Sequence, residues 1–468
     1  MLRITQLKLS VLHEPEDLPK KIASRLRVPR GAIRHFYVER RAVDARKKPE
    51  LFYVYTIVVS LDREKNYLKR SLPAGVQIYD PVVYHFPYEA PSDSFQRPVI
   101  VGCGPAGLFC GLMLAKHGFR PVLLERGEEV SVRKQKTAEF WKTGKLDPES
   151  NVQFGEGGAG TFSDGKLYTG VHDASGRGRE VLRLFTEAGA SEDILYEAHA
   201  HIGTDQLEKI VPALRQMIEA FGGNVFFRSK AVNLLLKNGR VCGVRTEDGR
   251  TFETGAVVLA IGHSARDTFR MLHAAGIPME AKPFAVGLRV QHRQDMINEV
   301  QYGSKAPEIV GAAPYSLRFR TAEGRSVYSF CMCPGGQVIN ASSAPGYLAV
   351  NGMSMHARNS GYANSAVVAA VSPDDCGGCI PEGTEDLWRG LRFQEELEKQ
   401  AWIFGEGSIT TQRFEDFVRS QEGKEGRMSP CVCGQIRYAN VRELLPARFS
   451  DAVLEGMNGF SRSVPGFN

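Results

Sequence analysis

No hydrophobic run in this 468-residue chain is long enough to cross a bilayer. The longest near-apolar stretch, Phe52 to Leu61, has ten residues and includes a Thr and a Ser, against about 20 for a transmembrane helix. The opening stretch, Met1-Leu-Arg-Ile-Thr-Gln-Leu-Lys8, alternates apolar and polar and lacks the apolar core of a signal peptide. These absences predict a protein that neither enters a membrane nor is secreted, and so a cytoplasmic one. Without an export signal, the nine cysteines are expected to be reduced thiols, metal ligands or redox groups rather than structural disulfides. There is no internal repeat or low-complexity tract. A chain that is 43% hydrophobic and 24% charged is also not a disordered one.

Glycine is the residue in excess. There are 48 among 468 residues, about 10% against a usual ~7%. They gather in tight loops, where a backbone approaches a ligand closely, and this hints at a cofactor. Charge is uneven too, because the basic excess of +6 lies within residues 1–95.

At roughly 150 residues per domain the length predicts about three domains, and the pattern of elements predicts an α/β fold. Residues 1–95 read as a small basic α/β domain, with strands at Arg3–Leu12, Ile33–Val43 and Leu51–Leu61 and a helix at Asp17–Leu26. The polar, Pro-bearing stretch Ala90–Pro98 reads as a linker. Residues 96–282 read as a Rossmann-like nucleotide-binding domain with an inserted β-meander from Asn224 to Thr254, turning at Asn238-Gly239 and Asp248-Gly249. Residues 283–468 read as a mixed-sheet substrate domain with a mostly helical tail.

The strongest motif is Gly102-x-Gly104-x-x-Gly107, set between the apolar strand Pro98–Val101 and the helix Leu108–His117. Gly102 permits the tight turn, Gly104 lets the backbone approach a pyrophosphate, and Gly107 lets helix and strand pack closely. Pro105 and Ala106 complete the fingerprint turn ahead of the helix, whose free amides and dipole receive phosphate charge. Glu125, with Arg126 beside it, ends the next strand 18 residues after Gly107, where a carboxylate accepts bonds from an adenosine ribose. A second match, Gly155-x-Gly157-x-x-Gly160, follows no apolar strand. It reads as a loop lying against a bound cofactor, with Gly158, Thr161 and Ser163 on it, or else as an ordinary surface loop. A third element, Ala256-Val-Val-Leu-Ala-Ile-Gly262-His-Ser-Ala-Arg266, takes a buried strand to the ligand-bearing edge at Gly262 and Ser264.

Several ordered stretches resemble the bacterial FAD-dependent dehydrogenase-like flavoproteins of the two-domain, glutathione-reductase-like superfamily. They are Arg41–Lys48, the Gly102 fingerprint, Asn151–Lys166, His201–Asp205, Gly262–Asp267, Lys282–Gly287, Phe330–Gly336 and Asn351–Ser354. The resemblance implies FAD held by Gly102, Gly104, Gly107 and Glu125, with the 155–165 loop and Gly262 near it, and a substrate domain from about residue 283. The chain departs from the family pattern twice. It has Arg289-Val-Gln-His292 where the family reads Arg-Ile-Glu-His. It also ends at Asn468, where the family continues into a Gly-rich segment that contacts the flavin, so a member lacking that segment is the expectation.

The remaining candidates are weighed on chemistry. Cys331 and Cys333 could exchange electrons with flavin, but their spacing strains a disulfide, and two buried thiols beside a turn is the preferred reading. Cys376 with Cys379, and Cys431 with Cys433, could join them around a metal, but no recognised spacing links the pairs, so no metal is expected. His201 and His263 could donate protons near neutral pH. Arg133 and Lys166 could offset pyrophosphate or substrate charge. The basic N-terminal residues, Arg25 to Lys48, read as a solvated face broken by Glu39 and Asp44, in preference to an RNA footprint.

The function predicted is an FAD-dependent oxidoreductase acting on a small molecule. No second nucleotide fold is present, which leaves NAD(P)H a transient electron donor at most. Two rivals are an RNA-associated flavoprotein and a non-catalytic remnant.

Overall fold

The computed structural model describes residues 1–69, 71–91, 95–304, 306–426 and 428–468. Ser92, Asp93 and Ser94 of the expected linker lie outside the described residues. The chain divides into two compact units. One gathers Met1–His85 with Lys166–Ile202 and Asp295–Ala313; the other holds Phe86–Gly165, Gly203–Gln294 and Pro314–Asn468.

The N-terminal unit is built on β1 (Leu2–Ser10), β2 (Ile33–Lys47), β3 (Glu50–Leu61) and β4 (Val76–Ile78), in the order β2-β3-β1-β4. Alternate residues of β3 are buried, so one sheet face packs Tyr55, Ile57 and Val59 against Ile22 and Leu26 of α1 (Asp17–Leu26). A short α2 (Glu64–Tyr67), α5 (Arg177–Glu187) and α8 (Gln294–Tyr302, from Asp295 onward) complete it.

The second unit contains the nucleotide-binding topology. Strands β5 (Val99–Val101), β6 (Val122–Leu124), β7 (Asn224–Phe226) and β11 (Val257–Leu259) form a parallel sheet in the order β11-β5-β6-β7. β5 and β6 are buried throughout, with α3 (Pro105–Lys116) packed on both, α6 (Thr204–Ala220) on α3 and β7, and α4 (Val130–Thr143) on α6. β7 and β11 are half-buried to exposed, so the strand expected to be buried at Ala256–Ile261 is not, because none of these helices packs on it. The chain leaves β5 toward β6 on one side, while β11 joins on the other, so a topological switch point falls at the carboxyl ends of β5 and β11. The antiparallel strands β8 (Ala231–Lys237), β9 (Arg240–Thr246) and β10 (Thr251–Glu253) form the inserted meander. Val225-Phe-Phe, read from sequence as the first meander strand, is instead the fourth parallel strand, with Val225 paired to Leu123. A three-residue apolar run carries no signal of its partner.

Beyond α7 (Arg266–Ala274), β12 (Phe284–Arg293), β13 (Arg318–Arg320), β14 (Ser326–Cys333) and β17 (Tyr362–Val371) make an antiparallel sheet ordered β12-β17-β14-β13. A second small sheet combines β15 (Gly336–Asn340), antiparallel to β16 (Val350–Ser354), with β19 (Val432–Cys433) parallel to it. Strands β18 (Ile409–Thr411) and β20 (Ile436–Tyr438) pair in parallel. Helices α9 (Arg389–Gly405), α10 (Phe414–Arg419) and α11 (Ala447–Phe460) pack around these mixed sheets. Among the described residues, no helix is long and apolar enough to cross a membrane.

Candidate functional site

The glycines of the fingerprint each occupy a place where a side chain would collide or block. Gly102 has φ +104°, and a Cβ there would sit 2.3 Å from the Ala260 carbonyl oxygen. A Cβ on Gly107 would lie 1.9 Å from the Gly102 carbonyl oxygen, so α3 can start hard against β5 only with glycine there. At Gly104 the nearest atom is Gly158 Cα at 3.9 Å, which leaves open space above the backbone. Pro105 stands first in α3, and the first-turn amides of Ala106 and Gly107 have no partner within the helix. That is an anion cradle.

The 151–165 loop folds beneath this cradle and is held there by Arg133. Its guanidinium is fully buried and donates to the carbonyls of Asn151, Val152 and Glu156, each at 2.7 Å, and to Thr161 Oγ1 at 3.3 Å. Burial pulls its pKa down to about 10. Arg133 therefore positions the loop and does not line the cleft. Thr161 is also buried beneath the surface, its carbonyl accepting from Thr204 Oγ1 at 2.5 Å. Ser163 closes its own turn, donating to the Gly160 carbonyl at 2.6 Å. Gly158 alone of these three reaches the cleft wall.

Glu125 is 4% exposed. Its carboxylate accepts the backbone N–H groups of Cys103 (2.7 Å), Gly127 (2.9 Å) and Gly155 (3.0 Å). A carboxylate offers about four acceptor sites, so about one is left for a ribose hydroxyl. The residue ties the fingerprint turn to the 155 loop. Arg126 stacks 4.1 Å from the Phe154 ring centroid and pairs with Glu149 at 2.7 Å and Asp267 at 2.9 Å. Lys230 joins the same two carboxylates, at 2.9 and 3.0 Å. The two cations beside Asp267 hold its carboxyl well below the usual carboxylate range, despite partial burial.

At the switch point, Gly262 has φ +73°, and a Cβ there would meet nothing within 4 Å. His263 follows, and desolvation lowers its pKa below the ordinary value, leaving it neutral at pH 7. These groups enclose a cleft of about 500 Å³ lined by Gly102, Gly104–Ala106, Glu125, Arg126, Gly158 and Gly262–Ala265.

A second cavity of about 1010 Å³ runs along the edge strand β12, walled by Val290, Leu397, Ile409, Phe414 and Leu445. Glu398 is on its wall and pairs with Arg266 at 2.6 Å, at the start of α7 immediately beyond the cleft. His292 also faces this cavity. Its Nε2 donates to the Phe467 carbonyl at 2.8 Å, so Nδ1 is a bare acceptor, buried and without a partner. Gln291 donates to the Cys431 carbonyl at 2.7 Å and accepts its N–H at 3.1 Å. An ionised carboxylate could make only the second bond.

Cys331 and Cys333 sit at an irregularity in β14, where Arg289 donates to the Cys331 carbonyl at 2.7 Å and lies 3.4 Å from Cys333 Sγ. Among the described residues neither lines either cavity. His201 and Lys166 form an isolated antiparallel backbone bridge in the N-terminal unit. Among the described residues no three His, Cys, Asp or Glu side chains converge as metal ligands do. The sequence reading missed Gln153, Phe154, Ser229–Ala231 and Thr268 on the cleft wall. Their one sequence signal is position: Ser229–Ala231 lie just after a strand of the parallel sheet, Gln153 and Phe154 on the loop beside Arg126, and Thr268 in the first turn of α7.

A parallel sheet with a glycine-lined anion cradle at its switch point defines a dinucleotide-binding α/β protein. Residues 96–314 match the family described as pyridine nucleotide-disulphide oxidoreductase, and residues 283–468 that described as FAD-dependent protein, C-terminal domain-like. Residues 1–60 match a domain of unknown function. An uncharacterized protein of Clostridium beijerinckii is 39% identical over 472 residues, spanning 100% of this chain and 87% of its own. The chain belongs to this family of FAD-dependent, oxidoreductase-like flavoproteins, and FAD is its cofactor. Solved structures resemble it remotely. The GidA-related protein of Thermus thermophilus is 18% identical over 42% of this chain and 74% of its own, with a TM-score of 0.24. A Bacillus halodurans glycerol-3-phosphate dehydrogenase complexed with FAD is 11% identical over 60% and 48%, with a TM-score of 0.26.

Proposed function

We propose that the chain oxidises or reduces a small organic substrate, with the reacting end of FAD and the substrate meeting at the cavity beside β12. The observation that carries this is the Arg266–Glu398 pair of 2.6 Å, which joins the head of α7 at the cleft to the wall of the larger cavity. FAD, when bound, supplies the hydride or electron chemistry. The protein supplies position and polarity. Amides of Ala106 and Gly107 receive pyrophosphate charge, and Glu125 keeps about one acceptor for the ribose. The larger cavity mixes apolar walls with polar and charged groups such as Glu398, Arg413 and Lys424, and neutral His292 offers Nδ1 as an acceptor for a substrate N–H or O–H. NAD(P)H fits this reading as a transient donor, and a cytoplasmic setting fits the nine thiols.

The test is the visible spectrum of the purified protein, followed by anaerobic mixing with NADH, NADPH and a panel of amines, alcohols and amino acids. Bleaching of the flavin band by one class supports the proposal. Stoichiometric FAD that no donor reduces beyond the rate of free FAD would sink it.

A further inference from the structure

Two cysteines with no part in the flavin site stand on a tight turn after β17. Ser372 caps the single helical turn Pro373–Cys376: its hydroxyl accepts the Asp375 N–H at 3.4 Å, and the Asp375 carboxylate accepts the Ser372 N–H at 2.8 Å. Arg325 holds that carboxylate at 3.0 Å. The chain then reverses, and the Cys379 N–H donates to the Cys376 carbonyl at 3.3 Å. Gly377 has φ −57° and ψ 143°, and Gly378 has φ +76°. That is the pattern of a type II turn, which calls for glycine at its third position. Such a turn keeps its first and fourth Cα atoms within about 7 Å, overlapping the roughly 4.4–6.8 Å that a disulfide spans.

The two thiols differ in setting. Cys376 is 0% exposed, and its Sγ donates to the Ser372 carbonyl at 3.6 Å. Burial, with Asp375 beside it, pushes this thiol's pKa up. Cys379 is partly exposed, and Arg448 Nη2 lies 3.7 Å from its Sγ. The same guanidinium contacts the carbonyls of Asp375 and Gly377, so it is anchored to the turn. A fixed positive charge against sulfur is the partner an attacking thiolate needs. The glycines leave the approach clear: nothing lies within 4 Å of a Cβ on Gly378, and only Asp374 O, at 4.0 Å, near one on Gly377.

We propose that Cys376-Gly-Gly-Cys379 is a redox-active dithiol that low-molecular-weight disulfides oxidise, a site independent of the flavin reading. Cys379, having lost its proton to solvent, attacks one sulfur of the incoming disulfide. That S–S bond breaks, the first thiolate leaves, and a mixed disulfide forms on Cys379. Cys376 then gives its proton to solvent and attacks the Cys379 sulfur, expelling the second thiolate. Two electrons pass from the two protein sulfurs to the two released thiols.

The experiment equilibrates the full, FAD-loaded chain with mixtures of glutathione and its disulfide, quenches in acid, alkylates free thiols and weighs the peptides. The dithiol predicts that Cys376 and Cys379 lose reactivity together as an internal disulfide, while buried Cys103 stays reduced. Cys376→Ser then accumulates glutathione on Cys379, and Cys379→Ser reacts at neither position. Arg448→Gln slows the wild-type reaction several-fold with the circular dichroism unchanged. Full alkylation of both thiols in the most oxidising mixture would overturn the proposal. So would a mixed disulfide on Cys379 that Cys376 fails to displace, or oxidation seen only when Cys103 also reacts.

Discussion

Gly158 and Gly104 face each other across the floor of the cofactor cleft: a Cβ on Gly158 would stand 3.0 Å from Gly104 Cα. The fingerprint turn and the 155 loop are therefore matched at the level of bare backbone. Gly158 also has φ +58°, a conformation costing a side-chain-bearing residue roughly 1–2 kcal/mol. Gly158→Ala is expected to weaken FAD binding by about tenfold or more, read by flavin fluorescence titration. Gly170, with nothing within 4 Å, provides a Gly→Ala control that leaves affinity unchanged.

Gly107→Ala tests the contact between helix and strand. Its Cβ would meet the Gly102 carbonyl oxygen at 1.9 Å, so α3 must move off β5. Overpacking of this kind costs about 1–3 kcal/mol. A lower urea midpoint together with lost flavin is the expected outcome, and a midpoint equal to wild type would contradict the packing described.

Arg133→Met removes the buried cation that gathers the 151–161 loop. Three carbonyls and the Thr161 hydroxyl lose their donor, and the buried Glu156 loses a favourable neighbouring charge. Breaking a buried charged network costs about 3–5 kcal/mol. Chemical denaturation should show that loss, and limited proteolysis should open the chain within 151–161.

Acid destabilisation has an identifiable source in the Arg126–Lys230–Glu149–Asp267 group. Because the folded pKa of Asp267 lies below its ordinary value, its contribution is present above the unfolded pKa, about 3.9, and is lost as pH falls through the folded value. Thermal midpoints from pH 7 to pH 3 should fall less steeply in Asp267→Asn than in wild type. Added salt should narrow the difference, since the group is partly exposed.

His292 sets a second pH dependence, in a higher window. Desolvation lowers its folded pKa, so the folded state binds its proton less readily than the unfolded chain. The group costs nothing above the unfolded value, about 6.5, where both states are neutral, and it lowers stability as pH falls below that value because the unfolded chain takes up the proton first. His292→Asn should flatten the stability profile between pH 7.5 and 5.5. An unchanged slope would remove His292 as its cause.

Local patterns settled a definite part of this protein. The spacing of Gly102, Gly104 and Gly107 between an apolar strand and a helix is a short-range instruction: sterics require glycine at Gly102 and Gly107, and Gly104 leaves room above the backbone. The β-branched and aromatic run Leu51–Leu61 likewise reads as a strand, and the fold decides which of its residues are buried. FAD as cofactor was what the resemblance of the ordered family stretches implied. What they left open was pairing over distance. Val225 joins Leu123 across 102 positions of chain, and Lys166–Ile202 and Asp295–Ala313 return to the N-terminal strands. Burial decides such pairings, and burial depends on every other element at once. The same holds for chemistry. Arg133 could offset phosphate charge by its type, but the fold buries it under a loop, and Glu125 gives three acceptor sites to backbone amides and keeps about one for a ribose. Side-chain type fixes what a residue could bind, while the tertiary structure, by choosing its neighbours, fixes what it does bind.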